Sequence, residues 1–270
     1  MVETTDKVFA GSIPEIYDRF TVPLIFEPYA VDLAGRVAAL APRDVLETAA
    51  GTGVLTRALV SRLAPSTRIV ATDLNQAMLD QAARRQQGGV VEWQQADALA
   101  LPFGDRSFDV VACQFGAMFF PDKVQGYREA RRVLRPGGRF LFNVWDKIAD
   151  NEFADVVTEA LAEMFPADPP RFMARTPHGH HDVERIRRDL AAAGFADLAI
   201  DAVDARSRAP SARHVAIAYC QGTPLRNEIE ARDAAKLAEA TDVAAAAIAG
   251  RFGSGAVDGK IQAHVILIER

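Results

Sequence analysis

Short apolar runs alternate along this chain with longer stretches in which apolar residues recur every three or four positions. That is the pattern of buried strands alternating with amphipathic helices. Strands rich in Val, Ile, Leu or Phe, as burial on both faces requires, are predicted at Asp44 to Thr48, Arg68 to Asp73, Val90 to Gln95, Phe108 to Gln114 and Arg139 to Trp145. Between them, Val54 to Leu63 reads as a helix that follows a glycine turn and stops before Pro65. Gln76 to Gln87 reads as a second, capped by Asn75 and ended by Gly88 and Gly89. Asp122 to Leu134 is a third, closed by Arg135-Pro136-Gly137-Gly138. This order predicts a doubly wound parallel α/β sheet with helices on both faces. Beyond Asp150 the pattern loosens: a helix reaching Phe165, a Pro-rich loop through Pro170, a helix from Asp182 to Ala193 and a strand at Asp197 to Val203. Helices at Ala212 to Cys220 and Asn227 to Ala249 and a last strand at Ile261 to Ile268 complete it.

Composition narrows the class of partner. With 49% hydrophobic and 25% charged residues, the chain has the makings of a well-filled core. It has no apolar stretch of the ~18 residues a membrane span needs. Met1 to Lys7 is acidic and polar where a secretory signal would be basic and then apolar, so a cytoplasmic protein is expected. The net charge of −5, with basic residues scattered, offers no footprint for nucleic acid and favours a small-molecule substrate. Arg128, Arg131, Arg132 and Arg135 recur at helical spacing and read as a solvated helix face. Cys113 and Cys220, each in an apolar setting, read as small buried hydrophobes in a reducing compartment. Self-association into a homo-oligomer is left open.

Chemistry concentrates at the ends of the first three strands. Val45-Leu46-Glu47-Thr48-Ala49-Ala50-Gly51-Thr52-Gly53 places an acid at the end of a strand, then two glycines in a tight turn that opens a helix. Gly51 and Gly53 let the backbone bend sharply and approach a ligand at the carboxyl edge of the sheet, where open α/β folds bind ligands. Asp73 closes the second strand as an acceptor-only carboxylate suited to a pair of ribose hydroxyls, and Asp97 closes the third. Together they suggest a nucleoside lying along successive strand ends, packed by Leu74, Met78 and Leu99. Each acid alone also reads as a helix cap or turn former. A dinucleotide site would place a third glycine at position 56, where Thr56 stands. A dinucleotide would also bring a pyrophosphate to the turn that Glu47 faces, and a carboxylate suits the cationic amino group of a methionine better.

With these motifs in order, the chain resembles a class I S-adenosylmethionine-dependent methyltransferase of the ubiquinone/menaquinone-biosynthesis-like, small-molecule branch. The resemblance runs from Val45 to Trp145. It rests on Glu47 to Gly53, Thr72-Asp73-Leu74-Asn75 with Met78-Leu79, Ala96-Asp97-Ala98, Leu101-Pro102-Phe103 ahead of Ser107-Phe108-Asp109, and Val133 to Gly138. It implies a seven-stranded sheet of order 3-2-1-4-5-7-6 with the last strand antiparallel. It also implies S-adenosylmethionine as cofactor, with Glu47, Ala49, Gly51, Thr52 and Gly53 around the methionine part and Asp73 with Leu74 and Met78 at the ribose. Asp97, Ala98 and Leu99 would then lie at the adenine, and Gln114 and Phe115 would line the cofactor after the fourth strand. Two departures stand out. Ala49 replaces the first glycine of many relatives, and Gln114-Phe115-Gly116-Ala117-Met118-Phe119-Phe120 lacks the histidine often found there.

The remainder of the chain is read around that site. One methyltransferase domain is expected over 1–270, with 1–40 as a helical lid, 41–147 as the cofactor-binding core and 148–270 as substrate-side helices with the last two strands. Tyr17 and Tyr29 are lid candidates, and Phe115, Met118, Phe119 and Phe120 suggest a partly apolar acceptor pocket. The insertion from Ser211 to Gly259 is where substrate choice is expected to reside. His178, His180 and His181 read as a loop entering a helix capped by Asp182 rather than as metal ligands, and His214 and His264 as packed or solvent-facing side chains. No residue stands out as a catalytic base. The rival readings are an NAD-dependent oxidoreductase, which lacks a Tyr/Lys or Cys/His constellation here, and a non-catalytic S-adenosylmethionine-binding protein.

Overall fold

The computed structural model describes residues 4–9, 11–86 and 89–270. Gln87 and Gly88, the expected helix end, and the first three residues of the Met1–Lys7 stretch lie outside the described residues. Seven strands form the sheet: β1 (Asp44–Glu47), β2 (Arg68–Asp73), β3 (Val91–Gln95), β4 (Phe108–Gln114), β5 (Leu134–Trp145), β6 (Leu198–Ala209) and β7 (Val257–Glu269). Their order is β3-β2-β1-β4-β5-β7-β6, with β1 to β5 parallel and β7 antiparallel to β5, as the resemblance implied. The helices used below are α1 (Glu27–Ala38), α2 (Val54–Arg62), α3 (Gln76–Arg85), α4 (Lys123–Val133), α5 (Glu152–Met164), α6 (Val183–Ala192), α7 (Ala212–Cys220), α8 (Leu225–Arg232) and α9 (Leu237–Phe252).

Three elements differ from expectation for identifiable reasons. The Arg135–Gly138 turn lies inside β5: Leu134 pairs with Phe108 and the next pair is Val110 with Arg139, so the turn bulges out of the ladder. β7 begins at Val257 because Asp258, Lys260 and Gln262 alternate with buried Val257, Ile261 and Ala263, a half-buried pattern that an apolar run does not reveal. The Ala-rich stretch from Asn227 to Ala249 is two helices. Asp233 between them is extended (φ −162°, ψ 110°), and its side chain accepts the Ala235 N–H to start a new turn.

Contacts divide the chain into two compact units. One comprises Tyr29–Trp145, His180–Val203 and Ala263–Arg270. In it α1 and α2 cover one face of the sheet, with Leu33, Val37, Leu55 and Leu59 packed against Val45, Ile69, Val110 and Leu141. The opposite face presents Phe140 and Phe142 to Tyr127 of α4. The other unit comprises the described residues up to Pro28, Asp146–Gly179 and Asp204–Gln262. There α9 packs on α5 and α7, and a wide-turned helical segment, Tyr17–Phe26, packs on α7, with the Thr21 hydroxyl donating to the Ala218 carbonyl at 3.0 Å. Asp6 accepts from Arg175 and from Thr176, and Arg175 also reaches Glu228.

Candidate functional site

The register of the sheet decides which side chains share a face. Glu47 pairs with Ala71 on β2 and Ala112 on β4, and Ala112 with Leu141 on β5; two residues further, Gln114 pairs with Asn143. Side chains alternate along a strand, so Asp73, Glu47, Gln114 and Asn143 rise from the same face, the one that α1 and α2 cover, at the carboxyl ends of β2, β1, β4 and β5. All four are buried.

Glu47, 1% exposed, ends β1 under the glycine turn. Its Oε2 accepts the Thr56 hydroxyl of α2 at 2.6 Å, and among the described residues no lysine or arginine pairs with it. Burial pushes its carboxyl up from the ordinary 4.5 to about 8, opposed by the Thr56 hydrogen bond and the charge of Arg57 and reinforced by the charge of Asp73. Arg57 is directed instead to the Thr52 carbonyl, at 2.7 Å. The turn itself carries three left-handed residues, Ala49 (φ 53°), Gly51 (φ 56°) and Gly53 (φ 78°). A Cβ on Gly51 would meet only Met78 Cε at 3.6 Å, so glycine is needed there for its conformation, and the space over it is open to a ligand. The Thr52 hydroxyl is buried with no hydrogen-bond partner among the described residues.

Asp73, 7% exposed, ties this turn to β2: Oδ2 accepts the Gly51 N–H and Oδ1 the Asn75 N–H, each at 2.8 Å. Burial raises its carboxyl, and the amides of Asn75 and Gly51 pull the other way. The Asn75 side-chain amide also lies 3.5 Å from Oδ1, so the capacity left for a ligand is chiefly on Oδ2. Met78 of α3 is buried beneath, Leu74 is exposed beside it, and the Gln95 amide holds the Leu74 carbonyl at 2.9 Å. Asp97, exposed after β3, accepts the Leu99 N–H at 2.9 Å in an Asx turn, with Ala98 and Leu99 half-buried beyond it.

After β4, Phe115 is also left-handed (φ 51°), and its N–H donates to the Asn143 side-chain oxygen at 2.9 Å. The Phe115 ring stacks on Trp145 at 3.9 Å and 11°, and Tyr29 meets both rings edge-on at 5.3 and 5.4 Å. Gly116 follows under tight constraint: a Cβ there would lie 2.4 Å from the Ala49 Cβ and 2.8 Å from the Cys113 sulfur. The cofactor-side and β4-side turns therefore touch through Ala49 and Gly116. The next turn, carrying buried Met118 and Phe120, is held by Lys123, whose ammonium donates to the carbonyls of Met118 and Phe120. Burial lowers that ammonium to about 8.

Of the residues singled out in the sequence, the structure gathers Glu47, Ala49, Gly51, Thr52, Gly53, Asp73, Leu74, Met78, Asp97, Ala98, Leu99, Gln114 and Phe115 at the carboxyl ends of β1 to β4. Tyr29 joins Phe115 in the same unit. Tyr17 belongs to the other unit, where it packs on Phe9 and Phe26. Asn143 and Thr56 enter as residues whose place the sequence did not reveal. His180 is buried with Nε2 at 3.0 Å from the Tyr127 hydroxyl, His178 Nδ1 lies 2.8 Å from the Asp146 carbonyl, and Asp182 caps α6. No group of three metal-ligating side chains occurs among the described residues. The arginine series is not merely a solvated helix face: Arg132 of α4 clamps Glu129, Asp105 and the carbonyls of Leu101 and Phe103, and Arg135, beyond the helix in the bulge of β5, bridges Asp44 and Asp109. No helix among the described residues is long and apolar enough to cross a membrane.

Comparison with known proteins converges on this region. Residues 46–142 match the family described as "Methyltransferase domain". The ubiquinone/menaquinone biosynthesis C-methyltransferase UbiE of Ectopseudomonas mendocina is 32% identical over 204 residues, which cover 70% of this chain and 75% of the relative. Its counterpart from Hahella chejuensis is 33% identical over 185 residues, covering 63% and 73%. Among solved structures, the YcgJ protein from Bacillus subtilis is similar with a TM-score of 0.55 at 21% identity, covering 88% of this chain and 98% of that one. The [4+2]-cyclase SpnF is similar with a TM-score of 0.51 at 20% identity, covering 88% and 79%. These last two show the fold alone, and a cyclase on it is a reminder that fold does not dictate reaction. The sequence relatives carry the assignment. The chain belongs to the class I S-adenosylmethionine-dependent methyltransferases, in the ubiquinone/menaquinone-biosynthesis-like, small-molecule branch, and transfers the methyl group of S-adenosylmethionine to a small molecule.

Proposed function

We propose that S-adenosylmethionine lies across the carboxyl ends of β3, β2 and β1 and that a partly apolar, hydroxylated ring compound receives its methyl group beside β4 and β5. The observation that carries this reading is Glu47, a buried carboxyl without a cationic side chain, next to an open glycine turn and an unpartnered Thr52 hydroxyl. Such a pocket lacks the positive group that the amino end of a methionine brings. Asp73 binds the ribose hydroxyls, chiefly through Oδ2, with the Asn75 side-chain amide giving way at Oδ1. Asp97 and the Ala98 backbone receive the adenine, with Leu74, Met78 and Leu99 packed along it. Gln114 and Phe115 border the methionine end, and Tyr17 closes over the cofactor from the N-terminal lid.

When bound, S-adenosylmethionine supplies a methyl group on a sulfonium, an excellent leaving group for in-line displacement. The chain contributes alignment and exclusion of water rather than a strong base. An acceptor ring made electron-rich by its hydroxyl groups brings its own nucleophile. The methyl–acceptor bond forms as the methyl–sulfur bond breaks, S-adenosylhomocysteine leaves and the acceptor's displaced proton passes to water. The apolar turn of Phe115, Met118 and Phe120 suits the remainder of such a ring. The quinone pathways in the relatives' names support an acceptor of the quinol class. The acidic charge balance supports a small molecule over nucleic acid, and the two buried thiols support a cytoplasmic setting. The parse into lid (1–40), cofactor core (41–147) and substrate-side region (148–270) is part of the same proposal.

The test is methyl transfer from labelled S-adenosylmethionine to a panel holding a 2-unsubstituted 1,4-naphthoquinol, simple phenols and small amines. Label in the quinol, with matching S-adenosylhomocysteine, is the expected result. Cofactor binding without demethylation on any member would return the chain to the non-catalytic reading.

A further inference from the structure

Asn143 is the one amide in the apolar run from Phe140 to Trp145, and it is fully buried in the middle of the sheet, between Gln114 on β4 and Val265 on β7. Its orientation is fixed, because Oδ1 accepts the Phe115 N–H at 2.9 Å, a place where Nδ2 would set donor against donor; the Asn143 backbone carbonyl accepts the same N–H at 3.2 Å. That leaves Nδ2 buried with no hydrogen-bond partner among the described residues. A leucine would fill the position without stranding a donor, so stability does not explain the asparagine.

Its one side-chain hydrogen bond goes to a residue under strain. Phe115 sits at φ 51°, a region that a bulky L residue avoids unless its surroundings over-determine it. Three contacts do so: Asn143 takes its N–H, through Oδ1 at 2.9 Å and at longer range through its backbone carbonyl at 3.2 Å, Trp145 stacks on its ring, and Gly116 is wedged between Ala49 and Cys113. Phe115 is the first residue beyond β4. If the acids seat adenine, ribose and methionine over β3, β2 and β1, the methyl group points toward β4 and β5, and Phe115 with Trp145 forms the wall at that end.

We propose that Asn143 is a positioning residue for methyl transfer: by holding Phe115 in its left-handed conformation it fixes the aromatic wall against which donor and acceptor align. This rests on the cofactor placement above, and its test separates the two. The variants Asn143→Leu and Asn143→Asp are made in the full chain with Trp93→Phe, which leaves Trp145 as its single tryptophan. Trp93→Phe alone is the reference. Measured are the near-ultraviolet circular dichroism and emission of Trp145, thermal unfolding, S-adenosylhomocysteine affinity, and kcat and KM on the naphthoquinol.

For Asn143→Leu, the Trp145 signature changes and kcat falls on the order of 10-fold to 100-fold, the penalty for a misaligned reacting pair. Unfolding temperature and S-adenosylhomocysteine affinity stay close to the reference. Asn143→Asp keeps an oxygen for the Phe115 N–H and restores the Trp145 signature. An unchanged Trp145 signature in Asn143→Leu overturns the proposal, as does a fall in kcat matched by equal falls in stability and cofactor affinity. If the reference binds S-adenosylhomocysteine but methylates nothing, the function proposed above fails, while the Trp145 signature still decides whether Asn143 holds Phe115. Should Asn143→Asp fail to fold, Asn143→Leu alone decides.

Discussion

Glu47 gives the most quantitative prediction, that capture of the cofactor releases a proton. The folded chain holds this carboxyl near 8 against an ordinary 4.5, so at pH 7 about 0.9 of the molecules keep it protonated. A ligand ammonium placed against it draws it to the ionised form, and the proton leaves. Binding of S-adenosylhomocysteine at pH 7 should therefore release close to one proton, and affinity should rise about 50-fold between pH 6 and pH 8 as the carboxylate forms, then level off. The ligand's own amine also titrates, but Glu47→Gln has the same shape and no proton to give, so the difference between the two proteins isolates the carboxyl.

Stability follows with its own sign. Because the value is raised on folding, the contribution of Glu47 is most favourable below pH 4.5 and declines as pH rises to about 8. At pH 7 the penalty is about 3 kcal/mol, which Glu47→Gln should largely remove. Calorimetry in two buffers of different ionisation enthalpy reads the proton count directly. A release near zero in the wild-type chain, or the same pH dependence in Glu47→Gln, would refute the reasoning.

Other perturbations read neighbouring parts of the site. Thr56→Val removes the hydroxyl that stabilises the charged form of Glu47, so the pH midpoint of ligand binding should move upward in the same calorimetric series. Asp73→Ala should weaken S-adenosylhomocysteine binding by about 1.5 to 3 kcal/mol through lost charge-assisted hydrogen bonds, and it should lower the unfolding temperature because Gly51 and Asn75 lose their acceptor. Unchanged affinity there would count against the ribose assignment. Gly116→Ala should cost about 1 to 3 kcal/mol in denaturant unfolding by forcing a Cβ against Ala49. Adding Ala49→Gly should recover part of that loss, and strict additivity would show that the two turns do not press on each other. Replacing Arg226 to Ala249 with a relative's segment should alter acceptor choice while leaving cofactor affinity intact, and equal loss of both would argue against a specificity role.

Much of the core was legible because a parallel strand buried on both faces must be apolar throughout. Arg68–Asp73 and Phe108–Gln114 stand out for that reason, and an acid at the end of such a run is conspicuous. Glu47 and Asp73 could thus be found without coordinates. Their local duties could not, since the bonds from Thr56 to Glu47 and from Gly51 to Asp73 depend on where the turn folds back. Asn143 had a signal, a single amide in an apolar run, but its meaning required the register with Gln114 and the left-handed turn at Phe115. The break at Asp233 was hidden by strong alanine propensity on either side, which local capping overrides. Arg132 looked solvent-facing by helical spacing, yet the loop from Leu101 to Asp105 folds onto it.

The measurement that bears most directly on the central claim is a crystal structure with S-adenosylhomocysteine bound. The expected result places the ribose hydroxyls about 3 Å from Asp73, the adenine beside Asp97 and Ala98, and the amino group at the end of β1 near Glu47. Ligand elsewhere, or at this edge with Asp73 turned away from the ribose, would contradict it.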